Sequence, residues 1–278
     1  MKNILKIMLM MITIFTIAGS AVYAAEIPVS DQDQLITSSD WTEISNLQDE
    51  MKKEEPDVTI DYDKALKVYV DCNLIKLQTA DTKKLTSALE SANYVWVIPF
   101  KMEKTYGMFT VAKGLPLSEE AKSVLTKAEQ EEVKNHAGKW MITETAEHTV
   151  EPYYDILLEK REALSDCTRV VLVGSQPGMR QPVALGMDDE TARIWISLGY
   201  QYPVMEKIPE TQNVESGVYS FESVADISDT YIEDSEVSTG AGVQSRSSIK
   251  YVAGIGIVLI GSILIISVLK KKKIKSED

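Results

Sequence analysis

An uncharged apolar run from Tyr251 to Leu269, followed at once by Lys270, Lys271, Lys272, Lys273 and Lys275, constrains this chain more than any other feature. At an α-helical rise the run is about 28 Å long, close to the ~30 Å hydrocarbon core of a bilayer. The lysines resist translocation and hold the C-terminus inside. The expectation is one transmembrane helix over 250–270, a short basic tail over 271–278, and the bulk of the chain outside the membrane. Such a tail is too short to fold into a domain of its own. The span carries no charge that would mark an ion path, and Gly254, Gly256 and Gly261 do not form a Gly-x-x-x-Gly face, so it reads as a tether.

The other end supports this topology. Lys2 and Lys6 precede an apolar stretch from Ile7 to Ile17, and small residues follow, with Val22 and Ala24 at the −3 and −1 positions of a cut between Ala24 and Ala25. That is the signal-peptide pattern, with an apolar segment too short to span comfortably, so residues 1–24 are expected to be removed. The C-terminal end also resembles the cell-wall sorting signals of Gram-positive surface proteins, in having a polar stalk, an apolar segment and a basic end. It departs from them where Glu236, Val237, Ser238, Thr239 and Gly240 keep the Thr-Gly of the sorting motif but lack its Pro.

Charge sharpens once both ends are set aside. Of 29 Lys+Arg, two lie in the N-terminal stretch and six in 250–278, while two of the 42 Asp+Glu lie in the tail; the exterior keeps 21 basic and 40 acidic residues, a net of −19. So acidic a surface argues against a nucleic-acid partner and against lying flat on anionic lipid. Only Cys72 and Cys167 occur, and export would permit a disulfide between them; two small buried residues are the alternative.

Periodicity places an α+β domain, with a mainly antiparallel sheet and packed helices, over 25–210. Trp41, Ile44, Leu47 and Met51 recur at helical spacing behind Asp40 as N-cap, and Leu85 and Leu89 mark a short helix over Asp81 to Ser91. Strands are expected at Leu66 to Asp71 (with Lys67, Tyr69 and Asp71 on its outer face), Tyr94 to Phe100, Tyr106 to Lys113 and Lys139 to Ala146. Tyr94 to Phe100 is apolar on both faces and belongs in the centre of the sheet. Ser118 caps a helix with Leu117, Ala121, Leu125 and Ala128 on one stripe, and Thr126-x-x-Glu129 offers a second start. A second unit begins near Val150, with a helix from Pro152 through Leu164 and strands at Arg169 to Gly174, Gln181 to Leu185 and Ala192 to Ser197. Subdomains 57–147 and 148–210 are therefore an alternative to a single domain. From 211 to 249 an acidic flexible stalk is expected, interrupted by Val218, Tyr219, Phe221, Val224 and Ile227, which read as a final strand or a docking segment.

Chemistry is sparse. His136 and His148 are the only histidines, and neither they nor the cysteines have zinc-ligand spacing. Gly174-Ser175-Gln176-Pro177-Gly178 lacks nucleophile-elbow spacing and suits a turn, which leaves a Ser175–His148 pair as a remote option. Asp57, Asp61 and Asp63, and Asp188, Asp189 and Glu190, lack the twelve-residue calcium pattern and read as solvated acidic turns. Trp96, Trp140, Trp195 and Tyr106 at strand spacing belong in a core rather than a sugar-binding groove. No catalytic, metal-binding or cofactor-binding residue is assigned, and no cofactor is expected.

The runs Asp61-Tyr62-Asp63-Lys64-Ala65-Leu66-Lys67-Val68-Tyr69, Asn93-Tyr94-Val95-Trp96-Val97-Ile98-Pro99 and Gly138-Lys139-Trp140-Met141-Ile142 resemble exported, membrane-anchored proteins of clostridia-like Gram-positive bacteria. The resemblance covers roughly residues 57–200, implies topology and source, and transfers no catalytic residue. Together these features point to a non-enzymatic surface module that binds another envelope or membrane component. A surface hydrolase acting on envelope polymer and a passive adhesin are the alternatives.

Overall fold

The computed structural model describes residues 27–227, apart from residues 149, 175, 180, 201, 203 and 210–212 and the side chains of Glu120 and His148. The signal cleavage site at Ala24 and Ala25, the span over 250–270 and Lys270 to Lys273 and Lys275 lie outside the described residues. Among the described residues no helix is long and apolar enough to cross a membrane.

The fold is α+β and mostly antiparallel, as the periodicity predicts. Ten strands form one sheet: β1 (Thr59–Ile60), β2 (Leu66–Tyr69), β3 (Tyr94–Lys101), β4 (Tyr106–Lys113), β5 (Trp140–His148), β6 (Arg169–Val173), β7 (Val183–Met187), β8 (Ala192–Ser197), β9 (Asn213–Glu215) and β10 (Val218–Ser220). Their order is β5-β4-β3-β2-β6-β7-β8-β10-β9, with β1 beside β3. Every pairing is antiparallel except β2 with β6, where Val68 meets Leu172 and Tyr69 meets Val173. The chain therefore meanders outward from the centre twice, once in each direction, and the two expected subdomains share a single sheet.

Both faces are covered. On one, Trp96, Ile98, Phe100, Phe109 and Val111 pack with Ile44 and Met51. Those two come from α1 (Trp41–Ser45) and α2 (Gln48–Glu54), a pair where the spacing predicts one helix. The break has a local cause: the side chains of Ser45 and Asn46 both donate to the Thr42 carbonyl and compete with the helical ladder. Farther along that face, Leu85 and Leu89 of α3 (Thr82–Glu90) pack with Val171, Val173, Leu185 and Trp195. Asp81 caps α3 by accepting from the Lys84 N–H at 3.0 Å. The opposite face, through Val68, Val170, Leu172, Ile194 and Ile196, is closed by Tyr153 and Leu157 of the helix Tyr153–Glu159.

One expectation is corrected. The domain does not end at 210. β10 pairs with β8 through Val218↔Ile196, Tyr219↔Trp195 and Ser220↔Ile194, and Phe221 and Val224, in the helical residues 221–227, are buried in the core. The expected stalk thus loses its first part to the sheet, and its remainder lies outside the described residues. The Leu117, Ala121, Leu125 and Ala128 stripe holds no fully buried residue. It belongs to a helical insert between β4 and β5, made of α4 (Glu119–Val124) and α5 (Lys127–His136), and no described residue of either helix is buried.

The insert leaves and rejoins the sheet through one neck. The Gly138 N–H donates to the Gly114 carbonyl at 2.7 Å, and the Gly114 N–H donates to the Lys139 carbonyl at 2.9 Å. A Cβ on Gly114 would meet the His136 carbonyl oxygen at 2.1 Å, so only glycine fits there. Between the helices the Thr126/Glu129 capping box forms in full, and the Gln130 amide donates to the Lys122 and Leu125 carbonyls. Because no buried face supports α5, its cap matters: Thr126→Ala is expected to cost about 1 kcal/mol locally. Hydrogen exchange should rise in residues 119–136 and stay unchanged in β6–β8; unchanged exchange in the insert would refute this.

Candidate functional site

The densest polar arrangement lies where β2, β3 and β6 meet. Strand alternation puts Lys67 and Tyr69 of β2 on one face, and register sets them opposite Trp96 and Tyr94 of β3. Arg169 opens β6 on the far side. Over these the N-terminal segment lays a 3-10 turn, Asp31–Asp33, whose last carboxylate enters the interior. Asp33 accepts from Tyr69 Oη at 2.7 Å, Ser30 Oγ at 2.6 Å and Arg169 Nη2 at 3.0 Å, with Lys67 Nζ at 3.8 Å. The side chains of Asp33, Lys67 and Arg169 are only 3%, 11% and 17% exposed, so none of these charges is freely hydrated.

Asp40 supplies a second carboxylate. The sequence casts it as an N-cap, but it makes no cap bond in the structure. It accepts instead from Tyr94 Oη at 2.8 Å and Trp96 Nε1 at 3.0 Å. Lys67 Nζ stands 4.5 Å from the Tyr94 ring centre, 5.3 Å from Trp96 and 5.8 Å from Tyr69, a set of cation–π contacts. Burial pulls its amine below the ordinary lysine range, against the opposing attraction of Asp33 and Asp40. Burial, reinforced by the neighbouring carboxylates, raises the Tyr69 and Tyr94 phenols, which stay protonated as donors.

Two acids and two bases thus balance in a nearly closed cluster whose groups are turned toward one another. Its chemistry is that of a clasp joining residues 30–40 to three strands. The periodicity missed it, since Lys67 and Tyr69 read as the outer face of a half-buried strand. A charge in mid-strand beside fully apolar neighbours was the available signal.

The residues singled out by sequence are scattered. Trp96, Trp140 and Trp195 are buried, Tyr106 is half-buried, and the three tryptophans line no common groove. Asp57 and Asp63 are exposed, while Asp61 pairs with Lys64, which also reaches Asp155 at 2.8 Å. Asp188 organises its own turn, accepting from the Thr191 and Glu190 N–H groups and from Arg193; these bonds, the backbone ones foremost, hold its carboxyl below the usual range. Among the described residues no group of three or more His, Cys, Asp or Glu is placed to hold a metal. Ser175 and the His148 side chain lie outside the described residues. In the Gly174–Gly178 turn it is Gln176 that acts, accepting from the Leu74 N–H and donating to the Cys72 carbonyl.

The Cys72–Cys167 bridge does not form. Both thiols are free, and they occupy opposite faces of the sheet: Cys72 packs in the cluster of Val171 and Val173, Cys167 in that of Val170 and Leu172. Alternate residues of β6 separate the two clusters, which puts the sheet itself between the sulfurs. Burial raises the Cys72 thiol to about 12 and the Cys167 thiol to about 11, so little thiolate exists at neutral pH. Reduction of the intact chain should therefore leave its mass unchanged. Iodoacetamide at neutral pH should label both thiols rapidly only in denaturant. A two-hydrogen gain in mass on reduction would overturn the assignment.

The exposed counterpart of the clasp is the helical insert. Val124, the last residue of α4, is 67% exposed and Leu115 at its neck 38%, while Leu117, Leu125 and Val133 are half-buried. It stands beside β5, the strand that ends the sheet on that side. Glu119–Lys122 and Glu131–Lys134 are ion pairs within the helices, and Leu115 and Val124 are the exposed large apolar side chains of the insert.

Comparison with protein-family models, with curated proteins and with solved structures gives no match.

Proposed function

We propose that this chain is a single-pass surface protein whose α+β domain sits outside the cell membrane and serves as a non-enzymatic binding module for another envelope or membrane component. The apolar side chains of the helical insert carry the binding role. A helix pair with no fully buried side chain among its described residues gains little from its fold and is stabilised when a partner covers it. The signal-like N-terminus, the apolar run ahead of five lysines and the resemblance to exported clostridia-like proteins support the placement. The acidic exterior, with its net of −19, favours a protein or envelope partner over nucleic acid.

The test is capture from native membranes by the full chain, compared with Leu115→Asp/Val124→Asp. Both positions are solvent-facing, so the double variant should keep its circular dichroism spectrum and thermal midpoint. A partner held by the wild type should fall at least tenfold. Equal recovery by both chains, or no reproducible partner for the wild type, would refute the role.

A further inference from the structure

We draw no further inference here: the strongest candidate, the uncovered apolar face of the α4–α5 insert beside the β5 edge of the sheet, belongs to the binding role already proposed, and nothing in the structure shows what covers it.

Discussion

Asp33→Ala is expected to destabilise the domain by about 3–5 kcal/mol, because it strands Arg169 as a buried cation and takes from Lys67 the stronger of its two carboxylate attractions. For a domain of this size that corresponds to a fall of roughly 10 °C in thermal midpoint. The loss belongs mostly to the uncompensated charges and not to the broken contacts. Asp33 receives three hydrogen bonds, from Ser30, Tyr69 and Arg169, and is itself almost fully enclosed. Adding Arg169→Met to Asp33→Ala should therefore restore part of the loss, since it removes one stranded cation and leaves an apolar stem. Replacing Asp33, Lys67 and Arg169 together with Leu, Met and Met should come closer still to the wild type. Urea or thermal unfolding of the full chain reads all three. A change below about 1 kcal/mol in Asp33→Ala would mean that water reaches the cluster and that it is no clasp.

Trp96→Ala should have an effect of similar size, about 3–5 kcal/mol, through the cavity left among Ile98, Phe109 and Val111. Trp96 also donates to Asp40, and Trp96→Phe isolates that bond while keeping most of the ring volume. A hydrogen bond to a charged acceptor contributes about 1.5–3 kcal/mol. The comparison is Trp195→Phe. Trp195 is equally buried and stacks on Phe221 with ring centres 5.6 Å apart, but its indole N–H has no partner among the described residues. Trp96→Phe should thus cost clearly more than Trp195→Phe. Equal costs would show that the Trp96–Asp40 bond contributes nothing net, which leaves Tyr94 as the donor that ties Asp40 to the sheet.

These two experiments probe the part of the molecule that the one-dimensional pattern conceals. Alternation identified β3, β4, β6 and β8 nearly to their ends, because strands flanked by turn residues leave a period of two that needs no knowledge of neighbours. Caps were equally legible at Ser118 and Thr126, where the bonded group lies three residues away. Asp40 shows the limit. Its composition and position fit a cap, yet its bonds go to residues 54 and 56 positions later. The helical insert shows a second limit. Leu117, Ala121 and Leu125 have the period of a core-facing helix, and period alone cannot say whether a core is present to receive it.

Residue type and short-range spacing are enough to specify most local elements, the α+β class and the acidity of residues 25–249. Only the tertiary structure decided that both halves share one sheet through the parallel pairing of β2 with β6. It alone carried the domain past residue 210 and set Cys72 and Cys167 on opposite faces. It also drew Asp33, Lys67 and Arg169 into one buried cluster. The physical reason is common to all four. Pairing across a sheet and the burial of opposite charges join residues up to 136 positions apart, and whether such groups meet is fixed by the path of the chain between them.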